Sequence, residues 1–306
     1  MAVRIGIGLA ALPFEDARGF WRWIEQLECG GFDSFWQTDR LVSKEPILES
    51  IAAMAALAGA TERLKFGMSV TVVTFRDPLV LAKQCATIDY LSGGRLLPAF
   101  GVGPAMAPEW RATGREARGR GARADEALIL IARLWSEPSV DFEGEFYRYR
   151  GATISPRPVQ DPLPLWIGGS SDAAIRRTVR IGTGWIAGVQ TPAQVAPVVA
   201  RIRAEAAASG REIDPEHYGA GFSYRFGGWD DPAVQATARG IARFSDALDP
   251  RDYLAVGGAR EIESRIAEYR RAGISKFVLR PMATGGADLA EQTRRLADEV
   301  LPAVHA

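Results

Sequence analysis

Residues 164–171, with the sequence Pro-Leu-Trp-Ile-Gly-Gly-Ser-Ser, have the composition of a phosphate-binding turn. They begin with an apolar run that is typical of a parallel strand covered on both faces. Two glycines then free the backbone, and Ser170 or Ser171 can cap a helix over residues 172–181. Because a helix N-terminus presents unpaired N–H groups and the positive end of the helix dipole, the segment predicts a seat for a phosphate. An ordinary strand-to-helix turn would use glycines in the same way.

Few side chains capable of acid–base or nucleophilic chemistry follow a predicted strand. Asp39 is the one carboxylate placed firmly at a strand end. Neither His217 nor His305 follows a strand, so no Ser-His-Asp set is predicted. Because the chain has only these two histidines, a histidine-rich metal site is not expected either. Lys276 begins a strand rather than ending one, which argues against Schiff-base chemistry. We therefore expect a bound cofactor to supply the reactive group.

Strands and helices alternate along the chain with short connections. Apolar runs predict strands over residues 3–9, 32–36, 64–73, 95–100, 165–167, 184–187, 217–226 and 276–281. Helical periodicity predicts helices over residues 14–29, 46–58, 77–91, 121–135, 172–181, 192–208, 232–255, 259–272 and 289–304. Residues 105–120 are predicted to be a polar connection, and residues 137–162 an excursion with a small hairpin.

This alternation implies a parallel sheet with right-handed crossovers. Eight strand–helix units in 306 residues predict an α/β fold, a (β/α)8 TIM barrel with insertions after strand 4 and before strand 5. A doubly wound sheet is the alternative, although eight repeats would make it unusually wide. No linker is evident, so we predict a single domain over residues 1–306. In such a barrel the active site lies at the carboxyl ends of the strands.

Composition narrows the possible partners and compartments. The 37 basic residues balance the 37 acidic ones, which argues against a nucleic-acid partner or an anionic membrane surface. Cys29 and Cys85 lie in helical patterns without a CxxC spacing, so we expect buried free thiols in a reducing cytoplasm. Met1 leads straight into a strand and no apolar run reaches membrane-spanning length, so we expect a cytoplasmic protein without a signal peptide or membrane span.

Four stretches together resemble one family, the bacterial luciferase-like flavin or deazaflavin oxidoreductases. They are residues 33–40 (DSFWQTDR), 64–71 with 75–78, 89–96 (DYLSGGRL) with 100–103, and 166–171 with 184–185. The resemblance covers nearly the whole chain and is weakest over residues 191–273. The family's third strand carries a bulge with a non-prolyl cis peptide behind the isoalloxazine ring. At the matching point, we predict a cis peptide between Ser69 and Val70.

The resemblance also implies roles for individual residues. Ser69, Val70 and Thr71 would flank the ring and hydrogen-bond to it. Asp39 would line the ring pocket together with residues 101–103, which include Gly101 and Gly103. The phosphate would be held by Gly168, Gly169, Ser170 and Ser171, with Trp185 beside them.

Arginines stand at two further positions where chemistry is expected. The family has a histidine where this chain has Arg40. Arginine stays protonated and cannot act as a general base, which argues against a sugar-phosphate dehydrogenase that would need histidine as its proton acceptor. Arg40 could instead bind an anionic substrate or stabilise a flavin-peroxide anion, or simply pair with a loop carboxylate. Arg280 could bind an anion, or it could form an ion pair across the barrel mouth. The candidate catalytic residues are Asp39, Arg40 and Arg280.

The resemblance implies a flavin-dependent monooxygenase that uses reduced FMN and O2 on a small organic substrate. A separate flavin reductase would supply the reduced flavin, because no nicotinamide-binding fingerprint is evident, and the family indicates a homodimer. One alternative is hydride transfer with the deazaflavin coenzyme F-420, whose polyglutamate tail could meet Arg111, Arg115, Arg118 and Arg120. A second alternative is a flavin-binding protein without catalysis, which the scarcity of acid–base side chains allows.

Overall fold

The structure, a computed structural model, describes residues 3–244 and 248–305. It is an α/β fold whose main strands pair in parallel. Its residues group into two compact units, one formed by Met1–Trp36 with Ile186–Ala306 and the other by Gln37–Trp185. We call them the terminal unit and the central unit. A complete (β/α)8 barrel with two insertions, and a single domain over the whole chain, stay predictions.

The elements follow one another as strand and helix for most of the chain. The strands are β1 Arg4–Leu9, β2 Ser34–Gln37, β3 Lys65–Met68, β4 Thr71–Val72, β5 Leu96–Leu97, β6 Ala99–Gly101, β7 Val140–Glu143, β8 Arg148–Ala152, β9 Trp166–Gly168, β10 Gly184–Ile186, β11 Tyr218–Ala220, β12 Ser223–Phe226, β13 Ala255–Gly257 and β14 Lys276–Pro281. The helices are α1 Ala17–Cys29, α2 Ser50–Ala60, α3 Pro78–Ser92, α4 Pro108–Ala112, α5 Arg120–Ser136, α6 Asp172–Ile181, α7 Pro192–Ala208, α8 Pro232–Phe244, α9 Pro250–Tyr253, α10 Ala259–Arg271, α11 Gly286–Glu299 and α12 Leu301–His305.

In the central unit, parallel strands converge on the stretch between β3 and β4. Strand β3 pairs with β5, and Phe66 lies opposite Leu96. Strand β4 pairs with β6, which in turn pairs with β9. Helix α3 begins where Asp77 accepts hydrogen bonds from the N–H groups of Leu79 and Val80, as an N-cap does. The carboxyl ends of β3, β6 and β9 therefore lie side by side.

In the terminal unit, β14 is the strand around which its neighbours assemble. It pairs in parallel with β1, with Ile7 opposite Leu279, and also with β11 and β12. Strand β13 extends this arrangement by pairing with β12. Helix α1 covers part of it with the stripe Phe20, Trp23, Ile24 and Leu27, all buried as the helical periodicity predicts.

Several predicted elements are confirmed, and others begin or end elsewhere. The excursion over residues 137–162 does contain an antiparallel hairpin, β7 with β8. The predicted start of a helix at Pro46 is wrong, because α2 begins at Ser50, where the Glu49 carboxylate accepts the Ala52 N–H. The predicted helix over residues 232–255 is also wrong as one piece: α8 ends at Phe244, α9 follows, and β13 begins at Ala255. Residues 245–247 of that prediction lie outside the described residues.

Three predicted strands are each divided in two. The strand over residues 95–100 is β5 and β6, the strand over residues 217–226 is β11 and β12, and the strand over residues 64–73 is β3 and β4. The last of these divisions falls at a cis peptide between Ser69 and Val70, which confirms the prediction made for that bond. A continuous apolar run in the sequence does not reveal such an interruption, because each half keeps its strand-like composition.

The two cysteines differ in environment. Cys85 is buried in α3, as predicted, but Cys29 at the end of α1 is exposed, so its predicted burial is wrong. Cys29 follows the buried stripe of α1 on the helix face that points away from the core. Among the described residues, no helix is both long enough and apolar enough to cross a membrane.

Candidate functional site

The carboxylate of Asp39 accepts four hydrogen bonds from three residues. It follows β2 and is 8% exposed. Its oxygens accept hydrogen bonds from both Nη atoms of Arg76 at 2.9 and 2.8 Å, from Ser50 Oγ at 2.9 Å and from the Val72 N–H at 3.1 Å. These contacts tie the end of β2 to the start of α2 and to β4. Each of the two carboxylate oxygens thus accepts two hydrogen bonds.

Arg76 sits between two carboxylates, because its guanidinium also pairs with Glu49. Burial alone lowers the pKa of the Arg76 guanidinium, but the hydrogen bonds and charges of Asp39 and Glu49 outweigh burial and raise it. Arg76 therefore stays charged at every accessible pH. Ser50 Oγ also lies 3.1 Å from Thr71 Oγ1, so the predicted ring-binding residue Thr71 belongs to the same buried network.

Val70 lies where three strand ends meet. A Cβ added at Gly101 would lie 2.7 Å from Val70 Cγ2, and a Cβ added at Gly168 would lie 2.9 Å from Val70 Cγ1. A side chain at either glycine would displace Val70, so the glycines at the ends of β6 and β9 make room for it. The Ser69 N–H is held by the Gln37 carbonyl oxygen at 2.8 Å, which fixes the preceding residue against β2.

A cavity of about 190 Å³ lies beside this point. Its lining includes five predicted site residues, namely Asp39, Arg40, Ser69, Val70 and Gly103. Gly103 has a φ of 73°, in the left-handed region, and a Cβ there would lie 3.1 Å from Val72. Residues far apart in sequence, each at a strand end, thus share one concave surface. The cavity is smaller than a typical cofactor pocket.

Glu109 is a further residue of this cavity, and the sequence analysis missed it. Its side chain is only 3% exposed. One carboxylate oxygen lies 3.7 Å from Arg40 Nη1, while the other, Oε2, is buried without a hydrogen-bond partner among the described residues. The Arg40 side chain is 45% exposed, so Arg40 reaches from solvent toward a buried carboxylate.

The packing of helix α4 explains the position of Glu109. Trp110 packs edge-on against Phe75 with ring centroids 4.5 Å apart, and its Nε1–H donates to the Pro104 carbonyl oxygen at 2.9 Å. These contacts hold the short helix over the cavity. The sequence Pro108-Glu109-Trp110 could have indicated the start of a helix, because proline is common at the first helical position. The composition of residues 105–120 as a whole instead indicated a polar connection.

Residues 168–171, the predicted phosphate loop, lie on the other side of Val70. Gly169 has a φ of 104°, and a Cβ there would meet only Ala174, at 3.6 Å. Ser171 is the N-cap of α6, and its Oγ accepts the Ala174 N–H at 3.3 Å, so the capping serine is Ser171. Trp185 is fully buried, and its Nε1–H donates to the Gly169 carbonyl oxygen at 2.7 Å. Ser170 lies between Gly169 and the cap and is half-buried.

Helix α6 is anchored so that its N-terminus keeps this place. Arg177 on its buried face donates to Asp125 Oδ1 at 2.6 Å and to the Gly121 carbonyl oxygen at 3.2 Å, which ties α6 to α5. The first turn of α6 thus presents its N–H groups beside an open glycine. The first turn also contains an acidic residue, Asp172, and the seating of a phosphate here stays a prediction.

Arg280, the third candidate catalytic residue, belongs to the terminal unit. It lies in β14, and its side chain lies over Gly8, where an added Cβ would be 3.2 Å from Arg280 Cγ. Its guanidinium hydrogen-bonds to the buried Tyr253, whose pKa is raised by burial despite the opposing charge of Arg280. Arg280 therefore has a partner in its own unit.

The four arginines considered for a polyglutamate tail differ in their surroundings. Arg120 is half-buried and donates to the carbonyl oxygens of Gly103 at 3.3 Å and Ala117 at 3.4 Å. Arg111, Arg115 and Arg118 are exposed, and none of them forms an ion pair with a described residue. The three exposed guanidinium groups lie in the segment that begins with Glu109 and Trp110.

The central unit passes two tests for a flavin-type cofactor. A buried polar atom without a partner among the described residues, Glu109 Oε2, lies among the residues predicted to surround the ring. An open glycine with positive φ lies beside a helix N-terminus, among the residues predicted to hold the phosphate. The residues present therefore fit the group that the sequence implies.

The chain is similar in sequence to proteins of one family. Residues 3–227 match the model of the luciferase-like monooxygenase family. The F-420-dependent glucose-6-phosphate dehydrogenase of Kineococcus radiotolerans is 34% identical over 167 residues, which cover 53% of this chain and 49% of the relative. The matched segments span about half the length of the curated relatives.

Two solved structures have the same fold. One is an F-420-dependent secondary alcohol dehydrogenase in complex with an F-420–acetone adduct, with a TM-score of 0.85, 20% identity and coverage of 100% of both chains. The other is the oxygenating constituent of 3,6-diketocamphane monooxygenase from Pseudomonas putida in complex with FMN, with a TM-score of 0.77, 16% identity and coverage of 99% of both chains. Homologues therefore use F-420 or FMN. Because the family model covers most of its length, this chain belongs to the luciferase-like monooxygenase family.

Proposed function

We propose that the protein is an oxidoreductase that acts on a small organic molecule with a flavin-type cofactor bound to the central unit. Ser69 and Val70 contact the ring, the fully buried Thr71 contacts the Ser50 side chain beside them, and Gly168, Gly169, Ser170 and Ser171 hold the phosphate. The observation that carries the proposal is the packing of Val70 against both Gly101 and Gly168. It brings the ring residues and the phosphate residues of three separate strands to one place.

The cofactor supplies the redox chemistry when bound, and the protein supplies position and charge. Asp39, held by Arg76 and Ser50, fixes the Val72 backbone next to the cis peptide, so we propose that it positions the ring site. The Glu109 carboxyl group lies shielded from water, and Arg40 faces it at the cavity rim. Trp185 fixes the Gly169 carbonyl and thereby the phosphate loop.

The first candidate reaction is monooxygenation with reduced FMN and O2. Arg40 supports it, because a cation that is half-exposed at the rim of a buried cavity can attract an anionic substrate or stabilise developing negative charge. In this reaction a separate flavin reductase supplies the reduced cofactor. Oxygen uptake with photoreduced FMN and a panel of substrates tests it.

The second candidate reaction is hydride transfer with coenzyme F-420. Curated relatives at 34–36% identity over about half their length are named for this coenzyme. The exposed Arg111, Arg115 and Arg118 offer cations for a polyglutamate tail, and Glu109 offers a buried acid. Arg40 in place of a histidine argues against glucose 6-phosphate as the substrate, so a different alcohol or carbonyl compound is expected.

The absorption spectrum and mass of the small molecule that copurifies with the protein test the proposal as a whole. FMN and F-420 differ in both properties, so the two are distinguished in one preparation. Titration with each cofactor follows, at equal ionic strength. Tight binding of either cofactor supports the proposal, and failure of both to bind contradicts it. Catalytic turnover excludes the alternative of a flavin-binding protein without catalysis.

We also propose that the protein is a homodimer that buries the exposed faces of α2 and α3. Helix α2 is apolar on all sides, including the exposed Ala52, Ala55 and Ala56, whereas a surface helix normally has a polar face. In α3, Tyr90 and Leu91 are 57% and 63% exposed. Sedimentation velocity is expected to give a dimer that Leu91→Glu converts to a monomer, and a monomeric parent protein would contradict the proposal.

A further inference from the structure

A second concave surface lies in the terminal unit and has no part in the proposed reaction. It is a cavity of about 840 Å³ bounded by the C-terminal ends of α7 and α10 and by the segment that leads into β11. Four arginines line it, Arg203, Arg211, Arg270 and Arg271, and we call it the arginine cavity. Its volume lies within the range of small-molecule sites, roughly 300–1,000 Å³.

The charge of the arginine cavity is unlike that of the whole protein. The chain has no net charge, yet among the described residues Glu212 is the one acidic residue that lines this cavity. Nearby carboxylates are paired elsewhere: Glu205 with Arg201 at 2.6 Å, and Glu216 with Arg4 at 3.6 Å. The local excess of positive charge is therefore not neutralised by these two neighbours.

Arginines near the C-terminus of a helix often serve to satisfy its last carbonyl groups. Here the backbone already does so for both helices. At the end of α7, the N–H groups of Arg211 and Gly210 donate to the carbonyl oxygens of Ala206 and Ala207 at 2.9 and 3.0 Å. At the end of α10, the N–H groups of Ile274 and Gly273 donate to Tyr269 and Arg270 at 3.1 and 3.0 Å. Capping thus does not account for the exposed guanidinium groups of Arg270 and Arg271.

Two of the arginines are available to a ligand, and a third forms part of a wall. Arg270 and Arg271 are exposed, and neither forms an ion pair with a described residue. The Arg203 guanidinium lies over the ring of Tyr218 at 4.8 Å and donates to the Gly273 carbonyl oxygen at 3.4 Å. The apolar side chains of Ala206 and Ile213 continue this wall. The cavity thus offers the exposed cations of Arg270 and Arg271 on one side and, on the other, the exposed Arg203 guanidinium, which the buried Tyr218 and Ile213 support.

We propose that the arginine cavity binds a small polyanion of nucleotide size, with its phosphate groups at Arg270 and Arg271 and its planar part stacked on the Arg203 guanidinium. Guanidinium groups match phosphate oxygens in geometry and charge, and they also stack on planar groups. The proposal is independent of the proposed oxidoreductase activity, because its residues belong to the terminal unit.

Calorimetric titration of the full chain with ADP and with inorganic pyrophosphate tests the proposal. The double variant Arg270→Ala/Arg271→Ala is expected to bind ADP roughly tenfold or more weakly, the factor that one charge-assisted hydrogen bond supplies. The matched control is Arg239→Ala, which removes an exposed arginine of α8 outside the cavity and is expected to leave the affinity unchanged. Circular dichroism verifies that all variants fold.

A variant of the proposed phosphate loop distinguishes the arginine cavity from the cofactor site. ADP binding that survives in Gly169→Asp supports a site distinct from residues 168–171, and binding abolished by that variant overturns the assignment. Equal affinities for ADP and pyrophosphate overturn the stacking of the planar part on Arg203. No saturable binding of either probe at low ionic strength, or equal binding in the double variant, overturns the proposal.

Discussion

Arg76 forms a two-point ion pair with Asp39, in which Nη1 lies 2.9 Å from Oδ2 and Nη2 lies 2.8 Å from Oδ1. The same carboxylate accepts the Val72 N–H, two residues beyond the cis peptide. The pair therefore connects the end of β2 to the backbone at which the proposed ring site is built. Its side chains are 11% and 1% exposed, so water screens the pair very little.

We expect Arg76→Ala to lower the free energy of unfolding by about 3–5 kcal/mol, because it leaves Asp39 buried without its counter-charge. Arg76→Lys keeps the charge but cannot form the two parallel hydrogen bonds, so its loss is expected to be intermediate. Urea denaturation measures both. A change of less than about 0.5 kcal/mol in Arg76→Ala, the size of an ordinary surface substitution, would contradict the role given to the pair.

Arg40→Ala is expected to impair turnover far more than stability. Its ion pair with Glu109 is long, 3.7 Å, and the arginine side chain is 45% exposed, so Arg40 is expected to contribute less to folding than Arg76, which binds Asp39 at two points. A cation at the rim of the active cavity contributes to substrate binding or to charge stabilisation during reaction. If the melting temperature collapses while activity per folded molecule is unchanged, Arg40 is structural.

Glu109→Gln is expected to slow turnover by roughly 10²–10⁴-fold, because it removes the buried group that can exchange a proton in the cavity. Cofactor affinity is expected to persist, and stability to stay equal or rise, since a buried carboxylate with one oxygen unpartnered among the described residues is replaced by a neutral amide. Glu116→Gln, an exposed carboxylate in the same segment, is the control. Unchanged steady-state rates in Glu109→Gln would exclude a proton-transfer role.

The sequence predicted the parts of this site that depend on local composition. Gly168, Gly169 and Ser171 could be predicted because a glycine turn and a capping serine are local features of a strand-to-helix connection. The cis peptide after Ser69 was predicted through family resemblance and not through periodicity, which reads across the break between β3 and β4. Residues that act through distant partners could not be found in this way.

Glu109 and Arg76 are the two clearest examples. Glu109 depends on the packing of Trp110 against Phe75, more than thirty residues away in sequence, and a charged five-residue helix has no periodicity to detect. Arg76 was part of a motif in the sequence, but its two carboxylate partners, Asp39 and Glu49, lie in other segments of the chain. The exposure of Cys29, in contrast, follows from the periodicity of α1, because a residue two positions after Leu27 lies on the face opposite the buried stripe.

The two thiols are expected to react very differently with iodoacetamide at pH 8. Burial raises the pKa of the Cys85 thiol to about 12, so almost no thiolate is present, and the side chain is also inaccessible. Cys29 is exposed. Mass spectrometry of the native protein is expected to show one modification, at Cys29, and a second only after unfolding. Rapid modification of Cys85 in the folded protein would show that α3 opens readily.

The titration of Gly169 variants with FMN and with F-420 tests the central claim most directly. Gly169 has a φ of 104°, so any side chain strains the backbone there, and Gly169→Ala measures that effect alone. Gly169→Asp adds a negative charge in the open space beside the N-terminus of α6. The account predicts that Gly169→Ala weakens binding of the preferred cofactor moderately and that Gly169→Asp abolishes it while the fold, by circular dichroism, is retained. Equal cofactor affinity in the alanine and aspartate variants would contradict the placement of the phosphate at residues 168–171.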